Sequence, residues 1–410
     1  MSETEPRETH DEIVVSLGDI QSAGSRHMWQ RSAVALVDGR AVVGANGEVR
    51  SVSLTTGEVD WTTAINDEYA VALANGPDRT VVVGGRGENG MLAAIDANGT
   101  VRWRYRTADD LDDAQRESLF FLPYVVDIAV EGDRIYAAAR RYERDGDRRA
   151  FRSGVYAFDS QGDIAWTYFA DASPIGIDVR EGRLAVAYNR CPGDHRCGLV
   201  VLDATTGDEQ LTWDPGTEGD RRVGDVSLLE AGVAVASHGD YRGYRLDEDG
   251  REQWSVNLGC PVEVDGETLY AYPNHAHATA EGIIFVTGNT YPKEGREAES
   301  RHPREYTIAM IGSDGTEQWH ASVGGWVSEL AVDGKAIAVP CSQHFRDREP
   351  TTHGLRLYDT IDGPMTRYQL EGIATAVEID EGGMVMIEEL VEYHDGTETH
   401  GEYRLHVRAR

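Results

Sequence analysis

The sequence predicts an all-β chain, an eight-bladed β-propeller of four-stranded antiparallel blades. Three observations point there. A unit made of an alternating apolar run, Asp, a short Gly-closed turn and then Trp recurs along the 410 residues. A second series of glycine turns interleaves with the first at spacings of 37, 56, 50, 50, 50, 52 and 48 residues. The 45 glycines against 13 prolines suit a chain of many tight turns.

The first series is clearest at Ile95-Asp96-Ala97-Asn98-Gly99 with Trp103, Phe158-Asp159-Ser160-Gln161-Gly162 with Trp166, and Leu246-Asp247-Glu248-Asp249-Gly250 with Trp254. Variants run from Leu54 to Gly57 with Trp61 and from Ile311 to Gly315 with Trp319; the copy ending in Gly207 spaces its Trp213 at six, and the copy ending in Gly363 offers Tyr368. The alternation is strand periodicity, and a short loop ending in Gly suits a turn closed by a left-handed residue. The tryptophan then stands on the outgoing strand as a plate to pack against a neighbouring unit. This reading puts six of the eight tryptophans in one structural slot.

The second series turns at Gly39, Gly76, Gly132, Gly182, Gly232, Gly282, Gly334 and Gly382, each between apolar strands. Each unit therefore holds two hairpins, and such units stacked radially make a propeller. The eighth unit lacks a fourth strand, and the N-terminus has a spare one at 12–18, with Ile13 in the Trp slot. The expectation is one domain over 1–410, closed by this clasp strand, with a helical and loop insertion at 107–123 and a short surface helix from Asp109 to Ser118. Closure hides both sheet edges. The alternative is seven blades and a stray hairpin.

These Asp-x-x-Gly-x-x-x-Trp units resemble the PQQ-like repeat of the quinoprotein alcohol dehydrogenase-like β-propellers. The resemblance covers almost the whole chain and implies the fold. Family members include quinone-dependent dehydrogenases and assembly-factor scaffolds, so function does not follow from it. The dehydrogenases typically carry adjacent cysteines near the quinone, and this sequence has none. No PQQ is expected.

Charge excludes other classes. Asp and Glu number 71 against 39 Lys and Arg, a net charge of −32, and only Lys293 and Lys335 are lysines. Acidic, lysine-poor chains resemble proteins of the haloarchaeal cytoplasm, where molar salt shortens the Debye length to about 3 Å and screens self-repulsion. The alternative is an acidic protein of an ordinary cytoplasm. Either way nucleic acid is excluded as the main partner, since its binding needs clustered basic charge. No apolar run is long enough to span a membrane, and residues 1–12 hold no secretory signal, so the chain is expected to be cytoplasmic and monomeric.

The long connections, 107–123, 140–153, 189–198, 258–274, 288–305, 341–354 and 394–402, all map to one face of the disc, where binding usually lives. Ten of the 13 histidines and all four cysteines map there too. His275 and His277, at i and i+2 on an innermost strand, point to one side near the channel mouth; they are candidate ligands for a divalent metal, or polar residues that hydrogen-bond loop carbonyls. Cys191, His195 and Cys197 share one loop, which suits a disulfide, a metal loop or free thiols. Trp29 and Trp326 lie outside the blade slot and precede innermost strands; with His344 they are candidates for a partner or ligand surface. The arginines of 140–152 read as a salt-laced solvated loop. No catalytic motif stands out. The leading expectation is a non-catalytic scaffold for a protein partner on the long-loop face; the alternatives are a metal-assisted lyase or hydrolase at the channel mouth, or a small-ligand sensor.

Overall fold

Alternating apolar residues form strands throughout, and the strands pair antiparallel in successive units of four. The computed structural model describes residues 12–20, 23–24, 32–65, 68–393 and 398–409. The strand that opens each unit is Ser32–Val37, Tyr69–Asn75, Tyr124–Glu131, Ser173–Arg180, Val223–Leu228, Glu267–Ala278, Ala331–Asp333 and, last, Ile373–Asp380. Ser32–Val37 packs against both Tyr69–Asn75 and Ile373–Asp380, so the opening strands run round a ring and line its centre. A single bridge, Tyr124 opposite Arg86, ties the second and third units. Short strands Ala23–Gly24, Val391–Glu392 and Thr399–His400 form a separate small sheet.

The last unit takes its fourth strand from the other end of the chain. Glu12–Ser16 pairs antiparallel with Arg404–Ala409, Ile13 opposite Val407 and Val15 opposite Leu405. Leu17, 2% exposed, joins a core of Val34, Leu36, Val385 and Leu405 that spans the first and last units. Its backbone N–H donates to Tyr403 O at 2.8 Å.

The recurring turn is held from within. The Asp96 carboxylate accepts the backbone N–H groups of Asn98 and Thr100, both at 2.9 Å, and Asp159 does the same for Gln161 and Asp163. Five tryptophans, Trp61, Trp103, Trp166, Trp254 and Trp319, lie on the turn glycine of the following unit. A Cβ on Gly99 would come within 2.9 Å of the Trp61 ring, on Gly162 within 2.5 Å of Trp103, and on Gly207 within 2.7 Å of Trp166. The indole N–H also donates to a carbonyl of that turn: Trp61 to Ala97 O at 3.0 Å, Trp166 to Ala204 O at 3.0 Å, Trp319 to Thr360 O at 3.1 Å. Ile13 lies against Gly57 in the same way, across the junction of the chain ends.

Three local expectations are corrected. Leu211, four residues after Gly207, occupies the slot on Gly250; Trp213 instead meets Tyr244 edge-on at 4.9 Å, so the slot holds five tryptophans. The helix is only Ala108–Leu111, because Asp112 turns to φ 62° and ends it. Residues 140–153 are not a loop. Arg134–Asp145 and Arg148–Phe158 are long paired strands joined at Gly146 and Asp147. Their alternation puts the aromatic pair Tyr142 and Phe151 opposite each other and packs Phe121 against them. Likewise much of 258–274 and the start of 288–305 extend the hairpin of Glu267–Ala278 and Gly282–Pro292.

Three outcomes are expected. Gly132→Ala, where φ is +59° and a Cβ would meet nothing, should lose about 1–2 kcal/mol from backbone strain alone. Gly162→Ala, φ +85°, should lose more, approaching the roughly 3 kcal/mol of a Trp103→Ala truncation, because the indole must move. Equal losses in denaturant titration would show that the indole contact contributes nothing. Deleting residues 1–18 withdraws Leu17, a side chain worth about 1.5–3 kcal/mol when buried, and bares the Arg404–Ala409 edge. The shortened chain should melt well below the full one; a melt within about a degree would mean the ring holds without that strand.

Candidate binding face and channel mouth

The opening strands start at the face of the longer connections and end at the face of tight turns, so their first residues form the rim of the central channel. Behind the rim the channel wall is acidic. Asp127 Oδ2 accepts the N–H of Ile177 at 2.9 Å, Asp178 Oδ2 that of Leu228 at 2.6 Å, Asp225 Oδ2 that of Ala276 at 3.0 Å, and Glu329 Oε1 that of Val377 at 2.7 Å. Asp127, Asp178 and Asp225 each tie their own strand to the next opening strand round the ring, and Glu329, just before Ala331–Asp333, does the same for its segment. They line a cavity of about 720 Å³.

Burial dominates the titration of Asp127, Glu329, Asp178 and Glu378. Removal from bulk water raises the Asp127 carboxyl to about 7, with Asp225 and Asp178 adding repulsion, and raises Glu329 to about 8, with Glu378 adding to it. Asp178 and Glu378 are raised by the same cause.

His275 belongs to this set of ties. Its Nε2 lies 3.1 Å from Val327 O on the following segment, and its Nδ1 is 3.8 Å from Asp225. Burial opposes its charged form, but Asp225, the Val327 carbonyl and Glu329 together outweigh burial and its pKa goes up. His277, on the same side, is pushed down by burial. The structure brings no third ligand to the pair: among the described residues, no three His, Cys, Asp or Glu side chains gather in a way that could hold a metal ion.

The other candidates are placed as follows. Cys191 and Cys197 are both free thiols; Cys191 Sγ lies 3.5 Å and His195 Nε2 2.9 Å from the Cys197 carbonyl, and the His195 ring packs on Tyr188 at 4.4 Å. His344 is 5% exposed; its Nδ1 accepts the N–H groups of Arg346 and Asp347 at 3.3 and 3.2 Å, and its ring meets Tyr306 edge-on. Trp326 is half-buried at the rim, its ring 5.8 Å from Phe345. Trp29 lies outside the described residues, as do His27 and His394. Several histidines of this face reach loop carbonyls: His302 Nε2 to Cys260 O at 3.0 Å, His353 Nδ1 to Glu371 O at 2.9 Å. Their concentration here serves loop backbone, which cannot pair in a ladder.

What the sequence reading missed is arginine. Arg86, Arg140 and Arg190 lie on the second strands of three successive units, each opposite the first residue of the opening strand: Tyr69, Tyr124 and Ser173. Their spacings, 54 and 50 residues, follow the repeat, and that is the signal that could have found them. Arg86 and Arg140 stand over the Tyr124 ring at 4.7 and 5.4 Å. With Arg149 they line a mouth cavity of about 500 Å³ whose walls include Phe120, Tyr142, Phe151 and Trp326. The neighbouring Arg141 faces the other way. It is buried, bonds Leu111 O and Asp113 O at 2.6 and 2.9 Å, and pairs with Glu143 at 2.6 Å, which pins the 107–123 segment. Beside this mouth, half-buried Tyr241, Tyr270, Tyr272 and Tyr291 form a ring cluster with centroids 4.6–5.7 Å apart, and Arg221 stands over Tyr272 at 4.4 Å.

Comparison with known proteins agrees with this architecture. Residues 45–238 match the family model described as outer membrane protein assembly factor BamB. Among solved structures, BamB from Moraxella catarrhalis is similar at 13% identity and TM-score 0.58, over 97% of this chain and 98% of that one. A chain of the mitotic checkpoint complex is similar at 10% identity and TM-score 0.52, over 100% and 98%. The Pan2 WD40 domain of Neurospora crassa is similar at 8% identity and TM-score 0.50, over 83% and 89%. No curated protein sequence matches the chain. At these identities the likeness shows the fold alone, a β-propeller with BamB-like repeats. Among the described residues no helix is long and apolar enough to cross a membrane.

The raised carboxyls give a pH dependence. Asp127 and Glu329 hold protons more tightly folded than unfolded, so the stability they contribute is full below about pH 4. It is lost as pH rises through about 7 and about 8. Asp127→Asn with Glu329→Gln should flatten the fall in Tm between pH 5 and 9 relative to wild type. Parallel Tm–pH curves would show that both groups ionise as they do in the unfolded chain.

Proposed function

We propose that the chain is an eight-bladed propeller of the PQQ-like repeat type, working as a monomeric, non-catalytic scaffold of a salt-rich cytoplasm that holds a protein partner on its long-connection face. The observation that carries this reading is the aromatic and arginine belt on that face. The four clustered tyrosines, Arg221 over Tyr272, and Trp326 at the rim are the residue types on which binding energy concentrates. The opposite face offers tight hairpin turns such as Arg180–Arg183 and no comparable cluster among the described residues. The match of the repeats to an assembly-factor model supports the same reading.

Affinity capture from the native salty extract tests it. Tyr270→Ala with Tyr272→Ala should lose the partner captured by the wild type at unchanged Tm, while Arg180→Ala on the opposite face should keep it. Retention by the tyrosine variant, or equal loss by Arg180→Ala, would overturn the proposal.

A further inference from the structure

We propose that the arginine arc at the channel mouth binds a small organic oxyanion, a carboxylate or phosphate carried on a flat apolar body. This site goes beyond the scaffold reading and stands whether or not a protein docks on the face.

The first argument is charge in its context. Acidic residues outnumber basic ones by 71 to 39, yet Arg140, Arg149 and Arg190, gathered at this mouth, are not offset by acids. Arg141 pairs with Glu143, and Arg222 pairs with Asp214 at 2.7 Å. Their neighbours Arg140 and Arg221 do not. Among the described residues no carboxylate comes within 4.0 Å of Arg140, Arg149, Arg190 or Arg221. The carboxylate of the mouth cavity, Glu389, is buried and takes hydroxyl hydrogen bonds from Thr375 and Tyr403, both at 3.1 Å.

The second argument is convergence. Arg86 and Arg140 share one tyrosine ring, and the charges of Arg221 and Arg149, after burial itself, push Arg190 down to about 10. Gathering like charges in a half-enclosed site is unfavourable unless an anion completes it. Guanidinium groups supply planar, bidentate donors that fit carboxylate and phosphate oxygens.

The third argument is shape. A cavity of about 500 Å³ is the size that encloses a small ligand, and its walls add Phe120, which is 44% exposed, with Tyr142, Phe151 and Trp326. Phe120 meets Tyr142 at 4.2 Å, so the apolar wall is continuous. A flat body between these rings, with its oxyanion on the arginines, uses both halves of the cavity.

Isothermal titration of the full chain with phenyl phosphate, benzoate, inorganic phosphate and benzyl alcohol, at fixed ionic strength, tests the site. Phenyl phosphate or benzoate should bind at least about tenfold more tightly than benzyl alcohol, and whichever of the two is tighter identifies the oxyanion. Arg190→Gln should weaken that binding about tenfold. Arg149→Gln, at an exposed position that the fold does not need, should weaken it in the same direction at unchanged Tm. Failure of both aromatic oxyanions to bind, equal binding of benzyl alcohol, or affinities untouched by both substitutions would overturn the proposal. Inorganic phosphate binding as tightly as phenyl phosphate would remove the apolar body from it. Binding of a Glu-rich peptide alone would assign the arc to a protein partner.

Discussion

An indole lying on the next unit's turn glycine is the contact on which the ring depends. It works because one motif does two jobs. The aspartate ties the turn so that its glycine faces the neighbour, and the absent Cβ lets the ring approach to contact. The indole N–H then consumes a turn carbonyl that no ladder could pair. At the channel wall a second set of ties, from Asp127, Asp178, Asp225, His275 and Glu329, joins the opening strands. Neighbouring units are thus fixed at two radii, which leaves the connections of one face on a rigid base.

The ring was legible in the sequence because its determinants are local. Strand alternation, the aspartate, the glycine and the residue four places later all sit within ten positions of one another. The error at Trp213 came from following the residue type instead of the position, since Leu211 keeps the spacing. The long hairpin at 134–158 was hidden because alternating Arg, Glu and Asp resemble a solvated loop unless the buried Tyr142 and Phe151 are set in register. The sequence allows a loop carbonyl as partner for His275, which meets Val327 O. Which group each histidine meets was not legible, Cys260 O for His302 or backbone N–H groups for His344, because no sequence pattern encodes contacts between separate connections.

The arginine arc sits between these cases. Arg86, Arg140 and Arg190 occupy one register position in three consecutive units, and Glu389 takes the equivalent place opposite Ile373 in the last. A position that the repeat does not require, yet that keeps one residue type in adjacent units, marks a surface and not a packing slot. The scaffold reading and the anion site share Trp326 and Arg221 but differ in their main residues: tyrosines beside the mouth for the one, arginines within it for the other.

In the salt-rich cytoplasm proposed for this chain, an anion site would have to be concave. With a Debye length of about 3 Å, a net charge of −32 neither repels an anion from a distance nor does a basic patch attract one. Discrimination is then left to direct contact, where guanidinium groups already stripped of part of their water meet an oxyanion. Arg140 fits that condition: it is held within the rim by the Ser173 hydroxyl and by the Tyr124 and Phe151 rings, and burial pulls its pKa down. The same arginine on an open surface would see mostly water and chloride. In an acidic chain of this kind, a few arginines inside a cavity can therefore select ligands that the acidic exterior has no means to sort.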